Sequence, residues 1–138
     1  MKRHWIEYGE NWMASPMSYW VHIEVDDLPW CEAGRFDPPK PRPVAGRGYA
    51  RFYVEVEDFL FHFASLEELR VCIGTLSERV LPTTLRATRE RGQGAIGPNG
   101  HWLSRLPARL LGWPRRQRIV KYLESCLLDF EKEIGATA

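Results

Sequence analysis

Residues 49–69, "YARFYVEVEDFLFHFASLEEL", contain the pattern that predicts the fold. Apolar and polar side chains alternate over residues 50–56 and again over residues 59–63. A period of two residues is typical of a strand with one buried face. The break at Glu57-Asp58 has the length of a tight hairpin turn, although neither residue is the glycine that such turns favour. We therefore expect an antiparallel hairpin with one apolar face.

A helix is predicted directly after this hairpin. Ser65 lies three residues before Glu68, which is the spacing of a capping box, where hydroxyl and carboxylate each bind a backbone N–H. The helix is expected to end before Pro82, because the proline ring disfavours helical geometry in front of it. Its apolar stripe consists of Leu66, Leu69, Cys72, Ile73, Leu76 and Val80.

A second main helix is predicted near the C-terminus. Pro114 suits a first-turn position, and Gly135 is expected to terminate the helix. Its apolar stripe consists of Ile119, Leu123, Cys126, Leu127, Phe130 and Ile134. Both stripes match the width of a helix face that packs on a sheet.

The third strand of the sheet is predicted upstream of the hairpin. Residues 19–26 alternate with a period of two, whereas Trp5, Tyr8 and Trp12 have the spacing of a short helix. The predicted fold class is α+β: a three-stranded antiparallel sheet with one apolar face covered by two main helices.

Two long loops complete this prediction. Residues 27–48 are rich in proline, and residues 83–100 are rich in arginine and glycine. The run "PPKPRP" at residues 38–43 favours a rigid loop but also permits a polyproline II ligand. Neither loop separates two complete cores, so we expect a single domain over residues 1–138.

The composition indicates a soluble cytoplasmic protein. The chain has 138 residues, 44% hydrophobic and 27% charged, which is ordinary for a globular domain. Its N-terminus does not resemble a signal peptide, and no apolar run approaches membrane-spanning length, so we expect no membrane contact. The three cysteines have no paired spacing and are expected to be reduced.

Positive charge is concentrated in one segment of the chain. Residues 79–121 carry ten basic side chains and one acid, or 10 − 1 = +9, although the whole chain has a net charge of +1. Arg115, Arg116, Arg118 and Lys121 crowd the start of the last helix, where the helix dipole disfavours cations. Such an arrangement needs compensation, either from carboxylates of the same chain or from an external anionic partner.

A second candidate region is "GPNGHWLSRLP", residues 97–107. Asn99 can cap a short helix from His101, which Trp102 would anchor, and this predicts a corner between helices. Alternatively, Asn99, His101, Ser104 and Arg105 line a small polar site. No nucleophile motif or orienting carboxylate accompanies the histidine in the sequence.

Polar and aromatic side chains also share the outer face of the predicted sheet. Its histidines and carboxylates lack local metal-ligand spacing, so we expect no metal site and favour a solvated face or a partner surface. No cofactor fingerprint is present, and no cofactor is expected. The residues of this face are Trp20, His22, Glu24, Arg51, Tyr53, Glu55 and His62.

Three functions remain open from the sequence. The first is a non-catalytic binding protein of the antitoxin, immunity or accessory type, which docks an acidic protein or a nucleic acid. The second is a small enzyme with a site around Asn99–Arg105 that acts on an anionic substrate. The third is a structural subunit that forms a homodimer through its sheet. The expected binding residues are Asn99, His101, Trp102, Arg105, Arg109, Trp113, Arg115, Arg116, Arg118 and Lys121.

Overall fold

The computed structural model describes residues 2–12, 15, 17–30, 32–81 and 102–137. Eight regular elements follow one another along these residues: β1 (Arg3–Gly9), α1 (Ser18–Val21), β2 (Ile23–Glu24), β3 (Phe36–Asp37), β4 (Tyr49–Val56), β5 (Phe59–Phe63), α2 (Leu66–Leu76) and α3 (Trp113–Thr137). Two short 3₁₀ turns, Trp102–Arg105 and Ala108–Leu110, precede α3.

The main sheet confirms the predicted α+β class. It is antiparallel, with the strand order β1-β4-β5, and β2 pairs with β3 in a second, two-stranded sheet. Val56 lies opposite Phe59, so Glu57 and Asp58 form the predicted two-residue turn. Both turn residues have positive φ, 53° and 58°, which is the backbone geometry that matches the twist of a hairpin.

The third strand is not the one that the alternation predicted. Residues 18–21 form a helical turn in which Trp20, Val21 and the following His22 are all buried, and three consecutive buried residues do not fit a half-buried strand. β1 pairs with β4 instead, so the predicted N-terminal helix through Trp5 and Tyr8 is wrong. Pairing with β4, and not the local spacing of apolar residues, therefore decides which segment is the third strand.

The two main helices cover the apolar face of the sheet, as predicted. Leu69 and Cys72 of α2 meet Leu123 and Phe130 of α3 in one buried cluster with the inward side chains of β4 and β5. Both predicted helix ends differ from the structure. α2 ends at Leu76 and leaves Val80 80% exposed. α3 continues beyond Gly135 to Thr137.

The proline-rich segment is ordered against the sheet at one critical glycine. Val44 and Gly48 form an isolated bridge that closes a tight turn. Gly48 has a φ of +100°, and a Cβ there would lie 2.6 Å from the carbonyl oxygen of Gly9. Only glycine fits this approach without displacing the backbone.

No helix of the described residues is both long enough and apolar enough to cross a bilayer.

Candidate functional site

Arg116 explains part of the unusual charge at the start of α3. Its side chain is buried, with the residue 4% exposed. Its guanidinium donates to the carbonyl oxygens of Leu76 at 3.2 Å, Arg79 at 2.8 Å and Leu111 at 2.8 Å, and to that of Glu78. Because the carbonyls at the end of α2 lack intrahelical partners, Arg116 caps that helix and neutralises the negative end of its dipole.

Helical spacing could have placed Arg116 inside the protein. Arg116 precedes Ile119, Val120 and Leu123 by three, four and seven residues, which puts it on the buried stripe of α3. Trp113 also contacts its guanidinium, 4.9 Å from the ring centroid. The compensation is neither a carboxylate nor an external anion. The prediction that Arg116 is a binding residue is therefore wrong, because its guanidinium is buried against backbone carbonyls.

Arg109 binds the hairpin turn. Its Nη1 donates to the carbonyl oxygen of Glu57 at 2.7 Å and its Nη2 to that of Asp58 at 3.0 Å. Arg115 in turn donates to the carbonyl oxygen of Arg109 at 3.2 Å. The two bonds to the turn hold a left-handed backbone that Glu-Asp alone disfavours.

Glu57 is the one turn carboxylate that pairs with α3 in the described residues. Its Oε1 accepts from Nε of Arg118 at 2.9 Å. This hydrogen bond, together with the positive charges of Arg118, Arg115 and Arg109, lowers the pKa of Glu57 despite partial desolvation. A carboxylate with a lowered pKa in this position reports a positive local potential.

A groove lies between this turn and the second and third turns of α3, and we call it the hairpin groove. Its volume is about 660 Å³. Lys121 makes no hydrogen bond or ion pair with any described residue, and Lys2 lies over the ring of Tyr122 at 5.3 Å. The lining residues are Lys2, Val56, Glu57, Asp58, Arg118, Lys121, Tyr122 and Ser125.

Tyr122 is held at the wall of the hairpin groove by a hydrogen-bond chain. Its hydroxyl lies 2.7 Å from Nδ1 of His4, whose Nε2 lies 2.9 Å from Oδ2 of Asp129. Burial is the main cause that raises the pKa of Tyr122 to about 12. The phenol therefore stays neutral and joins β1 to α3.

The other predicted binding residues are distributed differently. Trp102 is 5% exposed and belongs to the core, but residues 97–101 of the predicted corner lie outside the described residues, so the corner itself stays a prediction. Asn99 and His101 lie outside the described residues, as does the side chain of Arg105. Trp113 is half-buried, and the guanidinium groups of Arg79 and Arg116 lie 5.8 Å and 4.9 Å from its ring centroid. The predicted enzyme site around Asn99–Arg105 therefore stays a prediction.

The outer face of the sheet carries only part of the predicted set. Tyr53 and His62 stack at 4.6 Å between ring centroids, and Trp5 extends the stack at 5.3 Å from Tyr53. Trp5 takes the place expected for Trp20, because β1 is the third strand. Within the described residues, no group of three or more His, Cys, Asp or Glu side chains could hold a metal ion.

Sequence reasoning missed a buried polar network under the N-terminus of α2. His22 and Glu68 are both fully buried, with Nε2 of His22 3.6 Å from Oε2 of Glu68. Nε2 also lies 2.9 Å from Oγ of Ser65, the N-cap residue of α2, and Oε2 accepts from Ser18 at 2.8 Å. The capping-box spacing indicates Ser65 and Glu68, but no local signal connects them to His22.

No family model, no curated protein and no solved structure matches this chain.

Proposed function

We propose that this protein is a binding protein that docks an acidic partner protein through the hairpin groove. Five cations surround the groove and its turn, against two carboxylates, so the local balance is 5 − 2 = +3. Lys121 carries the proposal, because its ammonium is exposed and pairs with no described residue. The cations are Lys2, Arg109, Arg115, Arg118 and Lys121, and the carboxylates are Glu57 and Asp58.

An excess of positive charge at a groove favours association with a negatively charged partner. It raises the rate of encounter and fixes the orientation of the partner more than it raises affinity. Arg118 is also held in place by Glu57, so less conformational entropy is lost when it contacts a carboxylate. An acidic protein segment is therefore a suitable partner for this surface.

The surroundings of the groove favour a protein over single-stranded nucleic acid. Base recognition uses aromatic faces that are free to stack. Trp102 is in the core, the half-buried ring of Trp113 contacts the guanidinium groups of Arg79 and Arg116, and one face of Tyr122 contacts Lys2.

A charge-reversal pair tests the proposal. Lys121→Glu reverses a charge in the groove, and Lys132→Glu makes the same change at an exposed position farther along α3. Both variants and the native protein are used to capture partners from a lysate of the native host, with and without nuclease treatment. We expect one acidic protein to bind the native protein and Lys132→Glu, and to bind Lys121→Glu about tenfold more weakly, which corresponds to about 1.4 kcal/mol.

Two results would contradict this function. Capture that disappears with nuclease treatment, with affinity that falls steeply as salt increases, would assign the groove to nucleic acid. Equal capture by Lys121→Glu and Lys132→Glu would show that the hairpin groove is not the docking surface.

A further inference from the structure

A second groove lies on another part of the molecule, and it shares no lining residue with the hairpin groove. The proline-rich residues 39–44 form one wall, β4 forms the floor, and the first turns of α2 form the other wall. Its volume of about 380 Å³ falls within the range of small-molecule sites. We call it the proline groove. Its lining residues are Pro39, Pro41, Arg42, Val44, Ala50, Phe52, Ser65, Leu66, Glu67, Arg70 and Ile134.

Ser65 connects this groove to the buried network. Its Oγ lies 2.9 Å from Nε2 of His22, and Nδ1 of His22 lies 2.9 Å from the carbonyl oxygen of Pro38. A carbonyl can only accept, so Nδ1 carries the proton and donates to Pro38. In the neutral imidazole Nε2 is then an acceptor, and the Ser65 hydroxyl donates to it.

These contacts have the geometry of an activated nucleophile. A hydroxyl is hydrogen-bonded to a base, and a third group fixes the orientation and tautomer of that base. Here the third group is the backbone carbonyl of Pro38. We infer that Ser65 and His22 form a nucleophile and general base that cleave carboxylic esters whose apolar acyl group fills the proline groove.

The reaction proceeds through an acyl-serine. Ser65 Oγ forms a bond to the ester carbonyl carbon while its proton moves to Nε2 of His22. The alkoxide of the ester then leaves and takes that proton from Nε2. Water next attacks the acyl-Ser65 carbonyl, gives a proton to His22, and releases the carboxylic acid as Ser65 recovers its hydrogen. Water is the only co-reactant.

The surroundings of Ser65 suit both charges that develop in these steps. α2 begins at Leu66, and the N–H of Glu68 is donated to Ser65, so the N–H groups of Leu66 and Glu67 are the ones without an intrahelical partner that can bind the oxyanion next to Ser65. Oε2 of Glu68 lies 3.6 Å from Nε2 of His22, where the imidazolium forms. Glu68 is kept in place by Ser18 and by the N–H of Ala64 at 3.0 Å.

The apolar walls set the substrate class. Most of the side chains that line the groove are aliphatic, aromatic or proline, and such walls gain free energy by removing an apolar acyl chain from water. His22 is fully buried and Ser65, which lines the groove, is 4% exposed, so little bulk water surrounds the pair. Exclusion of bulk water strengthens the electrostatic contacts of the transition state.

Covalent labelling tests this inference. The full chain is treated with a fluorophosphonate probe and its intact mass and labelled peptide are determined, and hydrolysis of p-nitrophenyl butyrate is followed in parallel. We expect one adduct per chain, on Ser65. His22→Gln should slow both reactions by about 100-fold or more, which is the usual contribution of a general base.

Matched serine variants separate chemistry from folding. Ser65→Asn keeps a good N-cap without a nucleophile, so it should fold but neither react with the probe nor hydrolyse the ester. Ser77→Ala changes the serine that follows the other end of α2 and should react like the native protein. A native chain that neither labels nor hydrolyses the ester would overturn the inference, as would labelling that persists in Ser65→Asn.

Discussion

Each end of α2 has backbone groups without intrahelical partners, and the two ends satisfy these groups in different ways. At the N-terminus, Ser65 accepts the N–H of Glu68, three residues away in the chain. At the C-terminus, Arg116 reaches the carbonyls of Leu76 and Arg79 from a helix that begins more than thirty residues later. One cap is local and the other is tertiary. The comparison shows that a helix end without a sequence signal can still be fully capped.

The two ends also differ in charge. Glu68 is a buried acid beside the positive end of the helix dipole, and Arg116 is a buried base beside the negative end. Each therefore has the sign that the dipole favours. Arg116 therefore interacts unfavourably with the dipole of its own helix, α3, but favourably with the dipole of α2.

Replacing Arg116 should have the largest effect on stability. Arg116→Ala leaves several carbonyls without a donor at the junction of α2 and α3, and we expect a loss of about 3 kcal/mol in the free energy of unfolding. Urea denaturation measures the loss. Arg115→Ala is the neighbouring control, because Arg115 makes one hydrogen bond to a carbonyl, and it should lose less than about 1 kcal/mol. Equal losses in the two variants would contradict a tertiary cap.

Removal of the local cap should cost less. Ser65→Ala removes the acceptor of the Glu68 N–H and the partner of His22 Nε2, so we expect a loss of about 2 kcal/mol, of which about half comes from the cap. Ser77→Ala is the control at the opposite end, where the hydroxyl donates to the carbonyl of Ile73 on an exposed surface. A Ser65→Ala chain as stable as Ser77→Ala would show that the buried network contributes nothing.

Glu68→Gln should have a smaller effect that depends on pH. Burial raises the pKa of Glu68 above its ordinary value of 4.5, although hydrogen bonds from Ala64, Ser15 and Ser18 oppose that shift. The folded state then holds a proton that the unfolded state has released, so stability falls as pH rises from 4.5 towards the folded-state pKa. Glutamine resembles the protonated acid and removes this dependence.

The measurement is the unfolding free energy of both chains over a pH series. The native protein should lose stability relative to Glu68→Gln as pH rises from 4.5, and the two should differ least in acid. A difference that grows instead as pH falls would mean that Glu68 is stabilised in its ionised form by the network.

A substitution in the middle of α2 should have the smallest effect on stability, and it should stabilise the protein. Gly74 is exposed, and a Cβ there would meet no atom within 4 Å. Gly74→Ala should raise the free energy of unfolding by about 0.5–1 kcal/mol, because alanine restricts the unfolded chain and favours a helix. Thermal unfolding detects this gain. A decrease would indicate that the glycine has a role that its surroundings do not show.

Local patterns predicted the elements whose partners lie nearby in the chain. The hairpin turn at Glu57-Asp58, the cap at Ser65 and the stripe of α3 all follow from spacing within a few residues. Alternation predicts the third strand at residues 19–26, but alternation does not identify a pairing partner. Residues 3–9, where the spacing of Trp5 and Tyr8 predicts a helix, form the strand instead because they pair with β4.

The candidate sites also combine features that local sequence predicts with contacts that form only in the folded chain. The charge of residues 79–121 indicated a basic region, but the backbone carbonyls that bind Arg109 and Arg116 belong to other elements. The pairing of Ser65 with His22 joins residues 43 apart in the chain. Side chains so far apart meet only after the sheet and α2 have formed.

The sequence by itself determined the hairpin, the capping box, both helix stripes and the excess of positive charge before and within α3. Those features depend on periodicity, turn length and composition, which short stretches of chain contain. Tertiary structure alone decided which backbone carbonyls Arg116 binds, that Arg118 and Lys121 face the hairpin groove, and that His22 meets Ser65. Burial and hydrogen bonding between distant residues are properties of the packed chain, because they depend on which surfaces exclude water together.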